Sequence, residues 1–136
     1  MNGTIEPGWS DSRDWIVNDE VSAERYGNAG MRVLATPALI GWLEATAIAA
    51  LSKGLESGQG SVGTRIDMQH LAATPVGMRV TTRVEIVEVD RKRIVFRLEA
   101  HDEREQIASG THERFVIVTD RFLERAAEKA GGHGAG

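Results

Sequence analysis

Glu44 sits in the middle of residues 37–51, PALIGWLEATAIAAL, a stretch otherwise almost wholly apolar. A run of this length suits a helix better than a single strand, and a helix apolar on every face is a buried helix. A carboxylate placed there loses its hydration, at a cost of several kcal/mol unless it is protonated, paired or hydrogen-bonded. Desolvation should raise its pKa, which is the tuning a general acid or base needs near neutral pH. The plain alternatives are a glutamate that reaches solvent through a gap, or one tied to an arginine. His70 is the second such group. From Ser61 onward the pattern has period two, with Val62, Thr64, Ile66, Met68 and His70 on one face and Gly63, Arg65, Asp67 and Gln69 on the other. His70 therefore points toward apolar surroundings, either as a satisfied core histidine or, with Glu44 beneath the same sheet, as half of a carboxylate–imidazole site. A neutral imidazole there could take a proton from water or from a hydroxyl. Thr36 precedes Pro37 and reads as an N-cap; it could also accept an acyl group or orient a water. In a continuous helix Thr36 and Glu44 lie roughly 12 Å apart along the axis, at about 1.5 Å per residue, and would flank a substrate rather than bond to each other.

The elements that must hold these groups follow from the pattern. Residues 1–13 are polar and rich in turn formers, and are expected to be loose, as is the glycine-rich tail 131–136. A short first strand is expected within residues 14–21, a turn at Gly27-Asn28-Ala29-Gly30, and an extended piece at 32–35 before the long helix. Strand-like alternation then recurs from Ser61, from Met78, from Ile94 and over residues 107–118, with turns at Thr74-Pro75-Val76-Gly77, Arg91-Lys92-Arg93 and 102–105. The alternation in the last strand slips around 110–113, as a bulge would make it. Residues 119–130 read as a short amphipathic helix. Consecutive strands with short turns favour an antiparallel meander. One sheet cannot cover a helix apolar on all sides, so a second subunit or another layer should close it. The expectation is one α+β domain over residues 1–136, an antiparallel sheet wrapped around one long buried helix.

Composition narrows the function classes. The chain has 136 residues and a net charge of −4, which argues against a nucleic-acid partner, since such proteins present a basic face. Arg91-Lys92-Arg93 reads as a solvated hairpin tip, or as a contact for a phosphate-bearing ligand. There is no cysteine, which excludes thiolate chemistry and fits a reducing cytoplasm. The N-terminus lacks the basic and apolar regions of a secretory signal, and no apolar run is long enough for a membrane span. Four scattered histidines without ligand spacing argue against a metal site. Neither a phosphate loop nor a dinucleotide fingerprint is present, so no cofactor is called for.

Four separated motifs occur together in order: Ala35-Thr36 with Glu44 eight residues later, Gly60-Ser61-Val62-Gly63-Thr64, His70-Leu71-Ala72-Ala73-Thr74-Pro75, and Ser109-Gly110-Thr111-His112-Glu113-Arg114. Across residues 33–118 the chain resembles the hotdog-fold acyl-CoA thioesterases, most closely their fluoroacetyl-CoA thioesterase branch. The resemblance implies hydrolysis of a small acyl-CoA thioester served by Thr36, Glu44 and His70. It also implies that Gly63 lies near the thioester carbonyl, that Arg114 lines the site, and that a homodimer carries ligand sites near the subunit interface. Read from the residues alone, Gly63 is either a weak point in a strand or a backbone N–H exposed to a developing oxyanion. Arg114 could equally be a structural partner for Asp67 or Glu85. His112 falls on the opposite parity from Thr111 and Glu113, and His101 and His133 read as surface residues. The segment Tyr26-Gly27-Asn28-Ala29-Gly30-Met31 has glycines where the fluoroacetyl-CoA enzymes carry a bulky aromatic lid, so selectivity for the fluorinated acyl group is not expected. Two alternatives remain. Hotdog hydratases and dehydratases use an Asp followed five residues later by His, whereas Glu44 is followed at that spacing by Ala49. A non-catalytic acyl-CoA-binding module would have little use for Thr36, Glu44 and His70 together.

Overall fold

Strands β1 (Ser10–Ile16), β2 (Gln59–His70), β3 (Arg79–Asp90), β4 (Arg93–Asp102) and β5 (Gln106–Val118) form one sheet in the order β1-β3-β4-β5-β2 in the computed structural model, which describes residues 5–131. Every pairing is antiparallel. Helix α1 (Thr36–Ser52) lies on the inner face of this sheet, and helix α2 (Thr119–Gly131) follows β5. This is the hotdog arrangement expected from the sequence.

Strands β3, β4 and β5 are the expected meander, but β2 is not part of it. Residues 71–78 carry the chain from β2, at one edge, across to β3, so β2 pairs with β5 instead. The crossing is held along the sheet end by a bridge between Val33 and Pro75 and by a hydrogen bond from the Thr74 hydroxyl to Asp102 at 2.8 Å. Alternation and a Pro-Gly turn signal look the same for a hairpin and for a crossover. Another correction falls at the N-terminus. The first strand begins at Ser10, Ile5 is buried, and Gly8 donates to the Ile86 carbonyl, so residues 5–13 are tied to the sheet rather than loose. Residues 1–4 and 132–136, with His133, lie outside the described residues.

The core forms where α1 meets the sheet. Leu39, Leu43, Ala47, Ala50 and Leu51 present one stripe at helical spacing to Val80, Val84 and Ile86 of β3 and to Ile94, Phe96 and Leu98 of β4. The roll of α1 is fixed by Trp42, whose ring stacks on Trp15 with centroids 4.9 Å apart. Below that stack, Thr82 accepts from the Trp15 indole and shares a 2.7 Å hydrogen bond with Thr46, which in turn donates to the Trp42 carbonyl. The helix is not covered all round. Pro37, Gly41 and Ile48 face outward, Ile48 with 44% of its surface exposed, and Glu44 lies at the margin between the buried stripe and this open side.

A register shift in β2 between Gly63 and Arg65 decides which residues look inward. The extra residue is Thr64, whose hydroxyl donates to the Glu113 side chain at 2.8 Å. The bulge expected around 110–113 of the last strand thus sits in its partner; β5 has its own irregularity at Ile107, against β4, and alternates strictly through His112, Arg114 and Val116, all buried. Because of the bulge, Gly63 shares the inner face with Ile66, Met68 and His70 instead of opposing them.

Candidate active site

Thr36 and His70 meet directly. The Thr36 Oγ lies 2.7 Å from His70 Nδ1. Thr36 is not the N-cap; Ala35 holds that position without a side-chain bond, leaving the Thr36 hydroxyl free for the imidazole. The pair opens onto a cleft of about 380 Å³ lined also by Ala23, Asn28, Leu34 and Ala72. Burial pushes the His70 pKa below its ordinary value, opposed in part by the Ala72 backbone, and so favours the neutral imidazole that can accept a proton. His70 Nε2 is buried without a hydrogen-bond partner. Tyr26 is 56% exposed and does not line the cleft, and Gly27 takes a left-handed conformation (φ 101°) that ends a short 3-10 turn (Ala23–Tyr26). The entrance therefore has no aromatic lid among the residues that line it.

Glu44 has a different neighbourhood. Its carboxylate accepts from Arg114 Nη1 at 2.9 Å and lies 4.0 Å from His112 Nε2. Its side chain is 41% exposed in the single chain, so the deep desolvation expected of it is not found; it is a glutamate tied to an arginine at the rim of a cleft. Arg114 is itself 3% exposed and is anchored through Nε to the Ser61 hydroxyl and through Nη2 to the Ser61 carbonyl, both at 2.9 Å. Its partner is thus neither Asp67 nor Glu85. Gly63 completes this cluster. A Cβ there would stand 2.5 Å from the Glu44 carboxylate and 3.1 Å from Arg114, so only glycine lets the carboxylate fold over the strand.

Within one chain the imidazole beside Glu44 is therefore His112 and not His70. Glu44, Gly63, Thr64, Ile66 and His112 line a second cleft of about 280 Å³ that shares no lining residue with the first. The sequence reading placed His112 on the opposite parity from Thr111 and Glu113 and gave it no place among the site residues. The same parity places it inward with Arg114, and the i, i+2 spacing of His and Arg on one strand was the available signal. His101 is exposed, and the Arg91-Lys92 tip is solvent-facing, although Arg93 pairs with Glu88 and Glu113. Among the described residues no group of three or more His, Asp or Glu side chains could hold a metal ion, and no helix is long and apolar enough to cross a membrane.

The family described as fluoroacetyl-CoA-specific thioesterase matches residues 17–120. The fluoroacetyl-CoA thioesterase of Streptantibioticus cattleyicolor is 41% identical over 97 residues, covering 71% of this chain and 70% of that protein. A crystal structure of a variant of the fluoroacetyl-CoA-specific thioesterase FlK superposes with a TM-score of 0.88 at 32% identity, over 95% of this chain and 99% of that one. A hot-dog-like protein from Thermanaerovibrio acidaminovorans gives the same TM-score at 27% identity over 96% of each chain. With a family match over residues 17–120 and a 41% identical relative matched over 70% of its length, this chain belongs to the fluoroacetyl-CoA-specific thioesterase family.

Proposed function

We propose that this protein hydrolyses a small acyl-CoA thioester to the free acid and CoA. The observation that carries this is the 2.7 Å contact between the Thr36 hydroxyl and the His70 imidazole, which together line an open cleft. The Thr36 hydroxyl either attacks the thioester carbonyl, giving an acyl-threonine ester that water then hydrolyses to the free acid, or holds the water that attacks directly. His70 takes the proton and returns it to the departing thiolate. Gly63 leaves the space that the Glu44 carboxylate occupies beside the substrate carbonyl, Glu44 assists proton transfer from the attacking group, and Arg114 holds Glu44 in place.

The working unit is a homodimer. Within one chain Glu44 and His70 open onto different clefts, and Glu44 stands roughly 12 Å along α1 from Thr36. A single carbonyl cannot lie against both. Two features favour a second copy: the uncovered apolar side of α1 at Pro37, Gly41 and Ile48, and the open edge of β2 beside the Glu44 cleft. An exposed edge strand of this length is a pairing surface. In such a dimer the partner subunit's Glu44 faces the Thr36–His70 pair. Sedimentation should give a dimer at micromolar concentration; a stable, well-folded monomer would sink this part of the proposal.

Free-thiol release over a panel of acyl-CoAs of increasing chain length tests the activity itself. Turnover should be greatest for short acyl groups. With no aromatic lid on the Gly27–Gly30 side of the entrance, acetyl-CoA and fluoroacetyl-CoA should react within about tenfold of each other, a gap of roughly 1.4 kcal/mol in transition-state binding. Strong preference for the fluorinated substrate would mean that another feature replaces the lid.

A further inference from the structure

His112 is buried to 2% of its surface, on the strand that carries Arg114. Its two ring nitrogens have distinct partners. Nδ1 lies 2.8 Å from the Arg65 carbonyl, which can only accept, so Nδ1 must carry the proton. Nε2 lies 3.2 Å from Arg114 Nη1, which can only donate, so Nε2 must present its lone pair. One species satisfies both contacts, the neutral imidazole protonated on Nδ1. Arg114 Nη1 then stands between two acceptors, His112 Nε2 and the Glu44 carboxylate, and its remaining nitrogens are fixed by Ser61.

We propose that His112 is a positioning residue for hydrolysis: held as its neutral Nδ1–H form, it orients the Arg114 guanidinium and, through it, the Glu44 carboxylate. This rests on the thioesterase reading given above. The Arg65 carbonyl that fixes the ring comes from the first residue after the β2 bulge, so the bulge serves the orientation of Glu44 as well as the exposure of Gly63. The groups facing the ring are Glu44 from α1, Arg114 from its own strand, the Arg65 carbonyl from β2 and the Phe96 ring from β4, whose centroid is 6.3 Å away. Burial, chiefly, and the Arg114 charge lower the His112 pKa, while the Arg65 carbonyl and Glu44 act in the opposite direction. Protonation would replace the Nε2 lone pair by an N–H aimed at a cation, and the hold on Arg114 would be lost.

Two substitutions separate the contacts. His112→Gln can place an amide oxygen near the Nε2 position and still accept from Arg114. His112→Asn can bond the Arg65 carbonyl but is too short to reach Arg114. His112→Asn should lower kcat about tenfold or more with little change in KM, as misplacement of a reacting group does, while His112→Gln keeps most of the activity. Nitrogen-15 spectra of the wild-type dimer at pH 7 should show a neutral Nδ1–H histidine, and slowly rotating Arg114 guanidinium signals that persist in His112→Gln and average out in His112→Asn. Equal kcat in the two variants, an Nε2–H form or an imidazolium at pH 7 would overturn the proposal. If the wild type released no thiol from any acyl-CoA, the thioesterase reading would fail, and the spectra alone would decide whether His112 holds Arg114.

Discussion

Glu44→Gln and His70→Ala should each lower kcat by about 10²-fold or more, the scale for losing a general acid or base. Mixing the two inactive chains should then restore activity. In a mixed dimer whose site draws Thr36 and His70 from one chain and Glu44 from the other, one of the two sites is fully wild type. Random exchange of equal amounts should therefore recover about a quarter of wild-type turnover, as two-fold symmetry requires. The single variants should fold. Glu44→Gln leaves an amide oxygen for Arg114 Nη1 to bond, and Glu44 sits at a cleft rim, not in the core. His70 is half-buried at the end of β2, with one side-chain contact to lose. Failure of mixed dimers to recover any activity, despite verified exchange, would show that each chain carries a complete site. Near-wild-type kcat in both single variants would show that neither Glu44 nor His70 is the general acid or base.

A second large effect concerns the Thr36–His70 pair. Thr36→Val removes the hydroxyl at nearly constant volume and should also reduce kcat by about 10²-fold if that hydroxyl attacks or holds the water. Adding His70→Ala to it should cost little more, because groups that work as one unit are strongly non-additive. Glu44→Gln combined with Thr36→Val gives the same signature only if both contact one substrate. The pH profile supplies an independent check. His70 must be neutral to accept a proton, and burial lowers its pKa from the ordinary value of about 6.5. Activity should therefore be present above the lowered pKa and fall as the pH drops through it, with its acid limb below that ordinary value. An acid limb at or above pH 6.5 would contradict the assignment of His70 as the base.

Much of this protein is legible along the chain. The apolar run around Glu44 read as a buried helix, because its length suits a helix far better than a single strand and its apolar faces need covering. The period-two runs gave the strands and placed Ile66, Met68 and His70 on one face correctly, since that alternation is a local property of extended backbone. The motif order around Thr36, Glu44, His70 and Arg114 pointed to the family. The partnerships were not legible. Period two carries no information about which strand lies beside which, so the crossover at 71–78 and the pairing of β2 with β5 depended on contacts between residues far apart in sequence. The bulge at Thr64 inverted the parity of Gly63, and a one-residue shift of this kind moves every side chain before it to the other face. Glu44 and His70 looked like partners because both point beneath one sheet. Only the tertiary structure gave His70 to Thr36 and Glu44 to Arg114 and His112, since the roll of α1 set by the Trp15–Trp42 stack and the register of β5 against β2 decide which atoms come within hydrogen-bond range.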